Sequence, residues 1–338
     1  MSTTEAAVVL DVDGLDVATT STSLLSQVRF TIAAGERVGL IGESGSGKSL
    51  TALAIMGLLP DGVHARGRVQ LHGQQQNLLE QSAAQWASLR GEEMTMVFQE
   101  PMTALNPTMR VGAQVAEVIR LHRDGVSRAE GLRRAEAVLD QVGLEGAQTA
   151  RAYPHQLSGG QRQRVVIAIA LACDPQLLIC DEPSTALDVT VQARVLEQIV
   201  SGVQARRAAL LFITHDLAVV AQVCERVLVM YGGHIVEAGP VREVFGDPRH
   251  HYTAGLLAAS DLSSVERGAM LPTIEGTVPA AGSFPSGCVF RTRCPRADAA
   301  CEEQPSWTPR ESHSMERQRV DPSAHGFACV HPVGEPDG

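Results

Sequence analysis

The residues best placed to do chemistry lie at Gly42-Glu43-Ser44-Gly45-Ser46-Gly47-Lys48-Ser49, which fits the phosphate-cradling pattern G-x-x-x-x-G-K-[ST]. Glycines at 42, 45 and 47 free the backbone to turn its N–H groups inward. A helix opening here adds partial positive charge where phosphate oxygens sit. In that geometry Lys48 reaches the β- and γ-phosphates of a nucleotide, the Ser49 hydroxyl ligates Mg²⁺, and Leu50 carries the chain into the helix. Lys48 is also the sole lysine among 28 basic Lys and Arg residues. A chain so biased towards arginine keeps the compact ammonium where a point charge on phosphate is wanted.

A second constellation opens at Leu157-Ser158-Gly159-Gly160-Gln161, a turn into a helix whose free N–H groups face an anion. Next comes an apolar run, Leu177 to Cys180, ending in the adjacent acids Asp181 and Glu182. Burying an unpaired carboxylate is costly, so the pair reads as functional. Asp181 is expected to serve Mg²⁺, and Glu182 to orient and activate a water. Ser184 to Asp188 turns the chain into a helix over 190–206, and a strand from Leu210 to Thr214 ends at His215. His215 falls on the same sheet edge as the phosphate loop, where it is expected to meet the γ-phosphate.

The elements that must position these groups read as an α/β chain. Val38 to Ile41 is a buried strand feeding the loop, and Leu50 to Met56 the helix that leaves it. Residues 8–12, 28–33, 68–71 and 94–98 are short enough and apolar enough for strands. Two prolines break the chain between Glu100 and Pro107. Helical spacing follows over 111–122, with Val111, Val115, Val118 and Ile119, and over 127–142, with Leu132, Ala135, Val138 and Leu139. This segment, about 100–165, reads as a helical subdomain inserted into the sheet.

At 338 residues the chain is long for one core, so a large domain and a smaller one are expected, divided at 245/246. The net charge of −10 argues against nucleic acid as a partner. No apolar run approaches a membrane span and the start is polar and acidic, so a membrane role is expected to come through a partner. Cys173, Cys180 and Cys224 sit in apolar segments and read as core. Cys288, Cys294, Cys301 and Cys329 crowd the C-terminal tail with spacing C-x₅-C-x₆-C-x₂₇-C, among prolines and with little apolar periodicity. Such a tail builds little core, so a cross-linking centre would supply what packing does not. Wide spacing and Pro295 after Cys294 suit an iron–sulfur cluster; zinc and unligated thiols stay open.

The order of phosphate loop, Gln99, Leu-Ser-Gly-Gly-Gln, Asp-Glu after an apolar strand, an acidic turn and His215 resembles the ATP-binding cassette family, over roughly residues 8–240. The resemblance implies a RecA-like P-loop core with an antiparallel β subdomain and the inserted helical one. It also implies a head-to-tail dimer, each ATP lying between one subunit's phosphate loop and the partner's signature turn. Ser158, Gly159, Gly160 and Gln161 then face the partner's nucleotide, Gln99 joins Ser49 and Asp181 at Mg²⁺, and Asp188 lies in the acidic turn near the nucleotide. His251 to Leu257 and Gly287 to Cys294 are similar to the oligopeptide and dipeptide importer branch, whose relatives carry nickel or glutathione. That branch implies an ATP-hydrolysing motor at the cytoplasmic face of the membrane. Its implied partners are a second and different cassette chain, two permease subunits and an extracellular solute-binding protein. For the tail it implies a [4Fe–4S] cluster. One departure stands out: the family's adenine-stacking aromatic should fall near Thr19, and residues 18–23 hold none.

Other readings fare worse. A GTPase needs an Asn/Thr-Lys-x-Asp motif that a chain with one lysine lacks. A repair or translation cassette typically has paired cassettes or basic linkers, whereas this chain has one cassette and is acidic. A non-hydrolysing subunit conflicts with the full set of catalytic groups.

Overall fold

The computed structural model describes residues 7–98, 104–184, 188–260, 273–310 and 325–334. The chain divides into two compact units, one of residues 1–10, 32–37 and 80–212, the other of residues 11–31, 38–79 and 213–338.

The first unit carries strands β5 (Met94–Val97), β6 (Leu177–Asp181) and β7 (Ala209–Ile213; Ile213 belongs to the second unit), in that hydrogen-bonded order. β5 and β6 are parallel, with Met94 opposite Leu177 and Val97 opposite Cys180. All five residues of β6 and all five of β7 are buried, as expected for strands covered on both faces. Three helices, α3 (Val111–His122), α4 (Arg128–Gln141) and α5 (Gly146–Arg151), pack on one another. Val111, Val115 and Ile119 form the buried stripe of α3 at helical spacing. Ser127 caps α4 by accepting from the Glu130 N–H. The helix α6 (Gly159–Leu171) joins β5 through the Thr95 hydroxyl, which donates to the Ala170 carbonyl at 3.0 Å. After β6 comes α7 (Val189–Arg206). A short helix, α2 (Ala83–Leu89), precedes β5.

The second unit holds β3 (Arg37–Ile41; Arg37 belongs to the first unit), β8 (Arg226–Tyr231) and β9 (His234–Pro240). β3 and β8 are parallel, β8 and β9 antiparallel with a bulge at Val229/Met230. The tail extends this set: β11 (Gly326–Phe327) pairs antiparallel with β9, and β10 (Thr308–Pro309) with β11. The tail, expected to be loop-rich, thus also contributes strands. A three-stranded sheet in the order β2 (Ser23–Ala33), β1 (Val8–Ala18), β4 (His64–Leu71) completes the strands, and each is longer than its apolar run alone suggested. The helices here are α1 (Lys48–Ile55), α8 (Leu217–Val223), α9 (Val241–Gly246) and α10 (His251–Ser260). No helix among the described residues is long and apolar enough to cross a membrane.

Candidate functional site

β3 delivers the chain into the phosphate loop, and Gly42 makes the exit possible. A Cβ at Gly42 would lie 2.1 Å from the Met230 carbonyl oxygen, so any side chain here would collide with β8. Ser46 is buried, and its carbonyl accepts from the Gly233 N–H at 3.0 Å, which anchors the loop from below. Lys48 opens α1 and is buried; its ammonium donates to the Gly42 carbonyl at 2.8 Å and the Glu43 carbonyl at 2.9 Å. Gly47 is the helix N-cap and no side chain caps α1, which leaves the first N–H groups facing outward with the dipole behind them. Ser44, Gly45 and Ser49 are exposed at this end. An uncapped helix start, one ammonium and a hydroxyl suit a magnesium-bound phosphate chain.

His215 lies in the same unit, exposed, in the turn between β7 and α8. Its neighbour Thr214 donates its N–H to the Leu40 carbonyl at 3.3 Å, two residues before Gly42, so His215 leaves the sheet where the phosphate loop does. Asp216 caps α8 by accepting from the Ala218 and Val219 N–H groups.

In the first unit the signature turn is a capping box. The Ser158 hydroxyl accepts from the Gln161 N–H at 3.3 Å, and Gln161 Oε1 accepts from the Ser158 N–H at 2.8 Å. Ser158 and Gly159 stay exposed. Gly160 is required for packing, since a Cβ there would stand 2.3 Å from Val191 Cγ1 on α7. Asp188 caps α7 by accepting from the Val191 N–H at 3.0 Å, so signature turn and acidic turn meet at Val191.

Asp181 is buried at the end of β6, and Glu182 turns out of the strand with φ +50°, left-handed and unusual for a residue with a side chain. Gln163, fully buried on α6, donates from Nε2 to the Pro183 carbonyl at 2.6 Å, pinning the peptide that follows Pro183, one residue beyond Glu182. Gln163 was not among the residues the sequence pointed to, since its partner lies twenty positions away. Gln99 and the turn residues 185–187 lie outside the described residues.

Cys173, Cys180 and Cys224 are buried core residues, as expected. The four tail cysteines line one small pocket, together with His250 and His331. Burial raises the thiols of Cys288, Cys294 and Cys329, the last to about 11, and neighbouring cysteines push each the same way. Four clustered thiols, three of which resist ionising alone, suit a cation that draws off their protons. Ligand atoms of Cys301, Asp298 and His331 also lie within 4.8 Å of one another, with His331 Nε2 2.9 Å from Asp298 Oδ2. Spacing did not reveal Asp298 and His331, since the turn at 298–301 and the strand β11 bring them to Cys301. Near Thr19 the turn closes by a Thr19 N–H to Thr22 carbonyl bond at 2.9 Å, and Gly282 lies beside it, where a Cβ would be 2.9 Å from Thr22 Cγ2.

Comparison with known proteins agrees with this geometry. The profile of the ABC transporter family matches residues 25–185, and that of the oligopeptide/dipeptide transporter C-terminal region matches residues 236–301. The chain is 49% identical over 84% of its length to the probable D,D-dipeptide transport ATP-binding protein DdpD of Escherichia coli, covering 86% of that protein. It is 45% identical over 92% of its length to the oligopeptide transport ATP-binding protein OppD of Salmonella typhimurium, covering 89% of it. Among solved structures it resembles the ATP-binding cassette MJ0796 in a dimeric post-hydrolysis state with ADP and Pi (TM-score 0.60, 27% identity, 69% of this chain and 99% of that one). A phosphate loop on an uncapped helix, a capped Ser-Gly-Gly turn and a strand ending at buried Asp181 thus stand beside these similarities, and the chain belongs to the ATP-hydrolysing subunits of ATP-binding cassette transporters that carry the oligopeptide/dipeptide transporter C-terminal region.

Proposed function

We propose that this chain is the motor of a peptide importer, working with a second cassette subunit, two transmembrane permease subunits and an extracellular solute-binding protein. It acts from the cytoplasmic face of the membrane as a peripheral subunit. In this reading residues 1–245 form the nucleotide-binding domain, with an antiparallel β subdomain and the helical insertion, and residues 246–338 the extension. ATP lies between Lys48's loop on one cassette and the Ser158 to Gln161 turn of its mate. Lys48 and His215 neutralise the γ-phosphate, and Glu182 holds the water and takes its proton. Ser49, Asp181 and Gln99 would hold Mg²⁺, which would neutralise phosphate charge. Asp188 orders the acidic turn behind the signature.

The uncapped start of α1, with buried Lys48 at its head, carries this reading. Its test is retention of labelled ATP by the purified chain with magnesium, followed by ATP-dependent peptide uptake in vesicles holding the full set of subunits. No retention of ATP sinks the site; retention and hydrolysis with uptake of nickel or another small solute instead of peptide moves the cargo and leaves the motor.

The convergence of Cys288, Cys294, Cys301 and Cys329 on one pocket supports a metal centre there, which we assign as [4Fe–4S]. Zinc is the alternative that the mixed oxygen, nitrogen and sulfur donors of Asp298, His331 and Cys301 favour. Visible absorption of anaerobically purified protein, with iron and zinc quantified, separates the two; neither metal in protein purified without chelator removes the centre.

A further inference from the structure

Glu43, inside the phosphate loop, is held from three sides, and two of the holds come from the C-terminal part of the chain. Its carboxylate accepts from the Arg293 guanidinium, Nη1 to Oε2 at 2.6 Å and Nη2 to Oε1 at 3.2 Å. Its N–H donates to the Tyr252 hydroxyl at 2.7 Å. Its carbonyl accepts from Lys48 Nζ at 2.9 Å. One residue therefore touches both the cation that meets phosphate and the segment that carries the tail cysteines.

Arg293 is fixed in place. Its side chain is 4% exposed, its Nε donates to the Glu275 carbonyl at 3.0 Å, and it lies over the rings of Tyr231 and Phe290. Burial opposes its charge, but the bonds to Glu43 and Tyr231 outweigh that and hold the guanidinium above its ordinary range. Phe290 packs against Tyr231 and Tyr252, with ring centroids 5.2 and 5.4 Å away, and also lines the cysteine pocket. Tight turns tie the two sites together: Arg293 N–H to the Phe290 carbonyl at 2.9 Å, Arg291 N–H to the Cys288 carbonyl at 3.1 Å, and Cys288 N–H to the Cys301 carbonyl at 3.0 Å. Arg293 directly precedes Cys294.

We propose that Arg293 and Tyr252 are positioning residues for nucleotide binding, through which the cysteine-bearing segment sets the conformation of Glu43 and with it the reach of Lys48. An exposed ion pair contributes little, but this one is two-pronged, charge-assisted and largely shielded from water. Without Arg293 the Glu43 carboxylate loses its partner and is free to turn towards Lys48, whose ammonium already bonds the carbonyl of the same residue, and to compete there with phosphate.

The inference rests on ATP binding at the phosphate loop, so the wild-type chain is titrated with a fluorescent ATP analogue and magnesium in the same series. Absent wild-type binding removes the nucleotide site itself and the inference with it. Given that binding, Arg293→Gln is expected to weaken affinity ~10-fold or more, about 1.4 kcal/mol. Introduced together with Glu43→Gln, which removes the competing charge, the same change is expected to matter by less than ~3-fold. Tyr252→Phe shifts affinity in the direction of Arg293→Gln, and it carries the test where Arg293→Gln does not fold. A folded Arg293→Gln or Tyr252→Phe chain with wild-type affinity overturns the proposal, as does an additive double variant; a purely structural role lowers the melting temperature and leaves affinity alone. Cys301→Ser, which loosens the segment at its other anchor, is expected to weaken binding too, and unchanged affinity there overturns the link to the cysteine pocket.

Discussion

Replacing Gln163 by Leu tests how the signature helix holds the chain just past the strand end at Asp181 and Glu182. The side chain is fully buried and its amide donates to the Pro183 carbonyl at 2.6 Å. Leucine fills nearly the same volume but leaves that carbonyl without its donor, a loss of ~1–3 kcal/mol for a buried acceptor. The neighbouring residue, Glu182, sits at φ +50°, a conformation that costs a side-chain-bearing residue about 1–3 kcal/mol and persists only while its surroundings enforce it. The two magnitudes are comparable, so losing the bond lets Glu182 relax towards the extended backbone that a residue before proline favours, which moves its carboxylate off the position proposed for it. Each ~1.4 kcal/mol of lost enforcement is tenfold in the population of the working geometry, so turnover is expected to fall ~10-fold or more. Nucleotide affinity, which the proposed site places on Lys48's loop, is expected to stay put. The assay is steady-state ATPase of the assembled transporter, beside ATP binding and thermal melting of the same chain. A folded Gln163→Leu variant with wild-type turnover refutes the reasoning.

Glu182→Gln is expected to lower turnover by ~10²–10⁴ while ATP binding persists, read as a stable ATP-loaded dimer by gel filtration; unchanged hydrolysis takes Glu182 out of the role. Gly160→Ala places a methyl 2.3 Å from Val191 Cγ1 and is expected to depress activity and melting temperature, with recovery of both when Val191→Ala is added in the same chain. His250, buried and held down to about pH 4 chiefly by burial and further by His251, with Glu237 opposing, stays neutral in the fold, whereas the unfolded imidazole protonates from about 6.5. The unfolded chain then binds more protons, so stability is lost as pH falls from 6.5 towards 4, by at most ~1.4 kcal/mol per pH unit from this group. Melting against pH checks it: His250→Gln should flatten that slope, and an unaltered slope assigns the acid loss elsewhere.

Much of the candidate site's local structure was legible because it is built over short stretches of chain. Lys48, Ser158 and Asp181 each announce themselves within a few positions, since a phosphate loop, a helix cap and a strand end are short-range devices. Elements marked by period, such as the helices over 111–122 and 128–141, were legible for the same reason. Gln163 was not, because its partner is a backbone carbonyl twenty positions away and nothing in a glutamine advertises a buried acceptor. The grip of Arg293 on Glu43 spans 250 positions and depends on turns that no period encodes. β1 and β2 ran longer than their apolar cores because pairing, not hydropathy, sets the ends of strands.

The pairing of β11 with β9 bears on how the molecule is made. During synthesis β9 leaves the ribosome well ahead of its partner, with Glu237 in a strand that is otherwise open on that side. The finished chain silences that carboxylate with the His325 ring at 2.7 Å and the N–H groups of Arg249 and His250. Cys329 follows two residues after Phe327, so the move that seals the sheet's rim also brings in the fourth thiol. Gathering of the four thiols and pairing of β9 therefore both wait on the segment around Phe327, and until it arrives β9 keeps an unpaired edge of the kind that invites association.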